Sequence, residues 1–131
     1  MTPRLDLVGL VVKDMAASLA FYRRLGLDLA PELDDESHVE VTVGGLRLAW
    51  DTVDVIESFS SYEESSGGHR IGLAFLCESP EEVDHLHADL TQAGYTSHVE
   101  PFDAFWGQRY ATVLDPDSNP VDLFAPLPSS G

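Results

Sequence analysis

The sequence predicts an α+β fold built from two modules of the βαβββ type within one domain. Two apolar strand segments are each followed by an amphipathic helix that ends at a glycine, and strong hairpin signals follow each helix. The same order of elements recurs about 60 residues further along the chain. A chain of 131 residues with 44% hydrophobic residues is long enough for one buried core and too short for two ordinary domains.

The first module spans about residues 1–52. Asp14 precedes the helix, where its carboxylate can accept hydrogen bonds from the free amides of the first turn. Gly26 follows the helix, and a positive φ there is free of steric strain. Gly44-Gly45 is a two-residue hairpin signal between the last two strands. The predicted elements are the strands Leu5–Val12, His38–Val43 and Leu46–Asp51 and a helix from about Asp14 to Leu25.

The second module spans about residues 69–126. Ser79 is the predicted N-cap, Pro80 occupies the first helical position, and Gly94 ends the helix. Asp115–Asn119 predicts a tight turn, because Pro presets φ while Asp and Asn hydrogen-bond their own backbone. The predicted elements are the strands Arg70–Cys77, Thr96–Glu100, Tyr110–Leu114 and Val121–Phe124 and the helix Pro80–Ala93.

A polar connector of about residues 53–68 joins the modules. We expect a short helical turn over Val53–Tyr62, and Phe59 and Tyr62 are too apolar for a purely solvated linker. Part of the connector is therefore expected to fold over another part of the molecule. The tail Pro126–Gly131 is expected to fray.

The formal net charge of −16 argues against binding to nucleic acid, where Lys and Arg must neutralise phosphates. It favours attraction of cationic ligands, or it reflects adaptation to a salty or crowded cytoplasm. The single cysteine, Cys77, lies in an apolar run and is expected in the core. With no signal peptide and no long apolar run, we expect a cytoplasmic protein that does not associate with membranes.

Aromatic and polar side chains are concentrated in the last third of the chain, where they line a pocket or simply form core. Trp106 precedes Gly107 in a loop-like stretch and is expected at a rim, where a ring can stack on a flat ligand. Gln108 suits the orientation of a ligand, and Arg109 either contacts a ligand carbonyl or pairs with Asp122. The candidate ligand-binding residues are Trp50, Phe59, His69, Phe102, Trp106, Gln108, Arg109, Tyr110 and Asp122.

Nearly the whole chain resembles the vicinal oxygen chelate superfamily, which includes glyoxalases, extradiol dioxygenases and fosfomycin- and bleomycin-resistance proteins. The segments that carry this resemblance are Val8–Met15, Ser18–Leu27 and Asp115–Asn119. Three further segments look most like the metal-free, homodimeric branch that binds bleomycin and mitomycin, namely Leu48–Thr52, Gly67–Arg70 and Trp106–Tyr110. The resemblance implies a cup-shaped mixed sheet and a homodimer.

In the enzymes that the sequence resembles, four inward side chains, mostly His and Glu, hold a divalent metal. The corresponding positions here fall near Leu7, at Leu48 or Trp50, at His69 or Arg70, and at Asp122. Only His69 and Asp122 are candidate metal ligands, and a catalytic site needs about three. We therefore expect no metal, no other cofactor and no catalytic residue.

The leading hypothesis is a non-catalytic protein that sequesters an aromatic natural product, cationic or of the quinone type, as in antibiotic resistance. The alternative is a divalent-metal-dependent lyase, isomerase or dioxygenase that uses His69, Asp122 and further ligands such as His38 or Glu40. A third hypothesis is metal-free catalysis with His69 or Asp122 as general base. The expected partners are a small aromatic ligand and a second copy of the chain.

Overall fold

The computed structural model describes residues 5–59 and 72–128. The chain divides into two compact units, Met1–Ser66 and Gly67–Gly131. Each unit contains one small mixed sheet and helices, which confirms the predicted α+β class. No helix within the described residues is long and apolar enough to cross a membrane. The predictions made for Tyr62, His69, Arg70 and the last three residues lie outside the described part of the chain.

The elements of the first unit are β1 (Leu7–Val12), α1 (Met15–Arg24), β2 (His38–Val43), β3 (Leu46–Thr52) and α2 (Val53–Glu57). Its strands form a three-stranded sheet in the order β1-β3-β2. Strand β1 runs parallel to β3, and β2 pairs antiparallel with β3 through the predicted Gly44-Gly45 turn, where both glycines have positive φ. A 3₁₀ helix, Pro31–Asp35, lies between α1 and β2.

Helix α1 begins and ends where its capping residues predict. The Asp14 carboxylate accepts a hydrogen bond of 3.0 Å from the amide of Ala17, and Gly26 adopts a φ of 98° just beyond the last turn. Its large apolar side chains are buried, and Tyr22 meets Trp50 of β3 edge-on with 5.5 Å between ring centroids. This contact fixes which face of the first sheet packs on α1.

The elements of the second unit are β4 (Leu73–Leu76), α3 (Pro80–Gln92), β5 (Ser97–Ala104), β6 (Gln108–Leu114) and β7 (Pro120–Pro126). Its strands form a four-stranded sheet in the order β4-β7-β6-β5, with β4 parallel to β7 and the other pairs antiparallel. Helix α3 packs against β5, β6 and β7. Ser79 caps this helix as predicted, since its hydroxyl accepts from the amide of Glu82 at 3.1 Å.

Strand β5 is longer than the sequence predicts. The stretch after Glu100, expected to be a loop, continues as strand to Ala104, and Phe102 pairs with Tyr110 of β6. Pro101 lacks an amide donor and suggests a break, but β5 is an edge strand with register shifts, and such a strand tolerates proline. The turn to β6 is therefore shorter than expected and places Trp106 beside the sheet.

The turn between β6 and β7 confirms its prediction. The carboxylate of Asp115 is buried and accepts hydrogen bonds from the amides of Asp117 and Asn119 at 2.9 and 2.8 Å. Ser118 takes a positive φ of 67°, a conformation that a turn of this composition accommodates. This turn fixes the register of the two strands that carry the candidate site.

Candidate functional site

One face of the second sheet packs against α3. The other face carries no helix of the second unit among the described residues, and we call it the open face. Side chains alternate along a strand, so neighbours in sequence point to opposite faces. On β6, Ala111 and Val113 are fully buried on the α3 side, and on β7 the residues Val121 and Leu123 are buried with them. The alternate side chains belong to the open face, where Thr112 is buried and the others are half-buried, namely Gln108, Tyr110, Asp122 and Phe124.

Aromatic rings form an exposed cluster at one end of this open face. Trp106 meets Tyr110 with 5.4 Å between ring centroids and Phe102 with 6.1 Å, and Phe102 meets Tyr110 at 6.3 Å. All three contacts are edge-to-face, the arrangement that the ring quadrupoles favour. Trp106 remains 49% exposed and Phe102 39% exposed, so both rings have free surface. Phe105, which is 97% exposed, packs against the outer edge of Trp106.

Gln108 holds the indole of Trp106 in place. The Trp106 Nε1–H donates to Oε1 of Gln108 at 2.8 Å. Gln108 lies on the open face of β6, two residues beyond the indole in sequence, so the bond ties the ring of a turn residue to the sheet. The exposed ring is thereby ordered before any ligand arrives.

Asp122 lies next to the aromatic cluster on a central strand. The hydroxyl of Tyr110 donates to one carboxylate oxygen, and the hydroxyl of Thr112 donates to the other at 2.8 Å. Burial, together with the hydrogen bond to Asp122, raises the pKa of Tyr110 to about 12. The phenol therefore stays protonated and remains a hydrogen-bond donor at neutral pH.

Arg109 lies on the opposite face, which corrects the expectation that it pairs with Asp122. Its guanidinium makes two hydrogen bonds to the carboxylate of Asp84 on α3, at 2.9 and 3.2 Å, and a third to Asp103 at 3.0 Å. The side chain points toward α3 because residues adjacent along β6 alternate between faces. Arg109 thus links the helix to the sheet on the face away from the rings.

Trp50 and Phe59 belong to the first unit and are not among the residues of the aromatic cluster. Trp50 is fully buried against Tyr22, so it has no exposed surface to offer a ligand. Its indole Nε1 has no hydrogen-bond partner among the described residues. Phe59 follows α2 and is 72% exposed. His69 lies outside the described residues. The structure therefore brings together Phe102, Trp106, Gln108, Tyr110 and Asp122 from the predicted set.

The fold and the sequence point to the same family. The sequence model of the glyoxalase/bleomycin resistance protein/dioxygenase superfamily matches residues 4–123. The chain belongs to this superfamily. A search of the curated proteins finds no match.

Solved structures of the superfamily have the same fold. A family enzyme from Burkholderia phytofirmans PsJN is 22% identical with a TM-score of 0.78, covering 95% of this chain and 100% of that one. A glyoxalase-related enzyme from Fulvimarina pelagi is also 22% identical with a TM-score of 0.79, covering 95% and 88%. A glyoxalase/bleomycin resistance protein/dioxygenase from Nocardioides is 25% identical with a TM-score of 0.71, covering 100% and 87%. At these identities the similarity establishes the fold and leaves the ligand open.

The described residues do not fit the divalent metal that the superfamily's enzymes hold. Asp122 lies opposite Ala74 on β4, whose side chain has no metal-ligating atom. In the first unit the positions expected from the resemblance, Leu48 and Trp50, have no such atom in position to bind a metal either, and Ala49 between them is equally unable to coordinate one. Within the described ranges no group of three or more His, Cys, Asp or Glu residues is arranged to hold a metal ion.

The sequence did not predict an ionic network on the first sheet. The imidazole of His38 donates through Nδ1 to Asp51 and contacts Glu40 through Nε2 at 3.0 Å. Arg47 bridges Glu40 at 2.8 Å and Asp6 at 2.6 Å. The spacing of His38 and Glu40 along one strand placed both on one face, but their cross-strand partners depend on a register that the sequence does not reveal.

A histidine of α3 connects the helix to the second sheet. His87 is buried and hydrogen-bonds the hydroxyl of Ser97 at 2.8 Å. It points toward β5 because it lies one helical turn from Val83, which faces the same sheet. Its role is structural, on the face opposite the rings.

Proposed function

We propose that this protein binds a flat aromatic small molecule on the open face of its second sheet and sequesters it without chemical conversion. The observation that carries the proposal is the edge-to-face cluster of Phe102, Trp106 and Tyr110, two of whose rings keep free surface. Exposed aromatic rings on a sheet are unfavourable unless a partner covers them. A planar ligand that stacks on these rings supplies that partner.

The polar groups around the rings support binding of an oriented ligand. Gln108 fixes the indole, and its amide NH₂, which has no partner among the described residues, can hydrogen-bond a ligand. The Asp122 carboxylate lies at the other end of the cluster. Sites for small molecules combine a mostly apolar surface with a few convergent polar groups in this way. The ligand class that this fits is an aromatic natural product, of which antibiotics of the bleomycin and mitomycin type are the concrete test compounds.

Truncation of the indole provides the direct test. Trp106→Ala is expected to weaken binding of such a compound by about 1–3 kcal/mol, roughly 5- to 150-fold in Kd, because the variant loses the stacking ring. Calorimetric titration of both proteins measures the difference. Val43→Ala, which removes a comparably exposed apolar side chain from the first unit, is the matched control and should leave Kd unchanged.

Two outcomes of this titration overturn the proposal. If none of a panel of planar aromatic compounds binds at micromolar concentration, the cluster is not a ligand site. If a compound binds and Trp106→Ala leaves its affinity unaltered while the variant keeps its fold by circular dichroism, the ligand binds elsewhere.

We also propose that two copies of the chain pair. Leu76 of the edge strand β4 is 69% exposed, and Leu5 ahead of β1 is 77% exposed. An edge strand with an exposed apolar side chain is a surface that natural proteins usually cover. A second copy of this chain is the partner that this proposal assigns to it.

A further inference from the structure

Asp122 is a partly buried carboxylate without a countercharge among the described residues. It lies on β7, between β4 and β6, and is thus on an interior strand of the sheet. Its hydrogen-bond partners among the described residues are neutral hydroxyls, those of Tyr110 and Thr112, and no described Lys, Arg or His forms an ion pair with it. The one arginine nearby in sequence, Arg109, points to the other face and is engaged by Asp84 and Asp103.

The two hydroxyls hold the carboxylate as an acceptor aimed at the open face. Each donates its proton to a different oxygen, so the group keeps lone pairs for further donors but offers no proton of its own. The high pKa of Tyr110 keeps its phenol a donor across the neutral range. A charge removed from water needs a compensating partner, and here none is supplied within the described part of the chain.

The aromatic cluster and this carboxylate are joined through a single side chain. The ring of Tyr110 contacts Trp106 and Phe102, while its hydroxyl contacts Asp122. Tyr110 thus has the stacking surface at its ring and the carboxylate at its hydroxyl. Cation–π attraction to Trp106 and Tyr110 adds to the preference for positive charge in the same place.

We infer that the ligand of this site is an aromatic cation whose charged or N–H-bearing group rests on Asp122, with Thr112 and Tyr110 as positioning residues for the carboxylate. The inference rests on the proposed function and narrows its ligand class, since it favours an aromatic ammonium, amidinium or ring-nitrogen cation over a neutral quinone. Asp122 neutralises the ligand, and the rings supply the stacking surface.

A matched pair of probes tests the inference. In mildly alkaline buffer 10-methylacridinium is a permanent cation, whereas acridine has nearly the same outline and is neutral. We expect the cation to bind at least tenfold more tightly, as measured by calorimetric or fluorescence titration. Asp122→Asn should abolish this preference, and Thr112→Val should reduce it.

A control variant distinguishes direct contact between Asp122 and the ligand from general attraction of cations by the negative net charge of the protein. Asp103→Asn removes the same unit of charge from β5, two strands away from Asp122 in the same sheet, on a residue that pairs with Arg109 away from the open face. It should keep the preference for the cation. Thermal unfolding of all variants reports any loss of fold.

The outcomes for the inference and for the proposed function are distinguishable. Equal binding of both probes by the wild type, or an unchanged preference in Asp122→Asn, overturns the inference and leaves aromatic binding intact. Equal loss of preference in Asp103→Asn and Asp122→Asn also overturns it, because the preference would then come from net charge alone. If neither probe binds while another planar aromatic compound of the panel does, the inference fails and the proposed function stands. If no planar aromatic compound of the panel binds, both fail.

Discussion

Tyr110 joins the two chemical parts of the candidate site, because its ring belongs to the aromatic cluster and its hydroxyl to the carboxylate of Asp122. Burial disfavours the charged phenolate, and the adjacent carboxylate disfavours it further. The residue is therefore held as a neutral donor in contact with a negative group.

The titration of Tyr110 is a direct prediction of this environment. Among the four tyrosines of the chain, Tyr110 is expected to ionise at a pKa of about 12. Ultraviolet absorbance of phenolate measures the titration, and Tyr110→Phe should remove a titration step near pH 12. Asp122→Asn should lower the pKa of Tyr110, because the carboxylate no longer opposes the phenolate. A Tyr110 step near the ordinary value of about 10 would contradict the assigned contact.

For individual residues, the sequence identifies candidate side chains but does not reveal which of them are exposed or which partners they have. Trp50 and Trp106 are both candidate ligand-binding residues in the sequence, yet Trp50 is core and Trp106 is half exposed. Trp50 lies within β3, where its burial depends on the face of the sheet, and a shift of one residue in register reverses that face. Trp106 lies in the turn between β5 and β6, outside the alternation of a strand. Arg109 illustrates the same limit, since its face and hence its partner, Asp84 of α3, follow from alternation along β6.

Among the elements, strand β2 is held to β3 by more than its backbone. His38 on the edge strand lies opposite Asp51, and both ring nitrogens face carboxylates. The hydrogen bond to Asp51, followed by that to Glu40, raises the pKa of His38. The hydrogen bond from His38 and the charge of Arg47 lower the pKa of Glu40.

The sign of the His38 shift predicts how stability depends on pH. A pKa raised on folding means that the ion pairs add their full stabilisation below the unfolded value of about 6.5, and that this stabilisation is lost as pH rises through the folded pKa. Because the side chain is about half exposed, the loss is expected to stay below about 1 kcal/mol.

Urea unfolding at a series of pH values measures this contribution. The free energy of unfolding of the wild type should fall between mildly acidic and mildly alkaline pH relative to His38→Asn, in which the titrating ring is absent. His85→Asn, at an exposed position on α3, is the control and should follow the wild type. Identical pH profiles for the wild type and His38→Asn would show that the network does not stabilise the fold.

The helices were the elements that the sequence predicted most closely. Asp14 and Ser79 cap α1 and α3 as expected, because capping depends on local hydrogen bonds to the first turn. The length of β5 was underestimated, because Pro101 and Asp103 are residues typical of a loop, whereas pairing with β6 keeps this segment extended. The helix caps could be predicted from local hydrogen bonding, but the end of β5 depends on a strand that is distant in sequence.

For the molecule as a whole, the order of elements in each unit was predictable because it is repeated in the sequence. The position of the candidate site was predictable only in part, since the rings of the last third of the chain are close together but Trp50 and Phe59 are not among them. The net charge of −16 acts at this scale too, by raising the local concentration of cations around every face of the protein.

Pairing of two copies is a prediction for the whole molecule. Analytical ultracentrifugation at micromolar concentration is expected to show a dimer, and Leu76→Glu is expected to shift it toward monomer, because a charge would then face the partner at the edge of β4. Val43→Glu, on the hairpin of the first unit, is the control. A wild-type protein that sediments as a monomer would contradict this proposal and leave the ligand site untouched.

A flat aromatic ligand is expected to bind on the ring cluster of the second sheet, and the tryptophan side chains report where it binds. The chain has two tryptophans, so a ¹H–¹⁵N correlation spectrum contains two indole resonances, assigned with Trp106→Phe. Titration with 10-methylacridinium should shift the resonance of Trp106, whose Nε1–H donates to Gln108, and leave that of buried Trp50 in place. A saturating titration that moves the Trp50 resonance alone, or neither resonance, would contradict the claim.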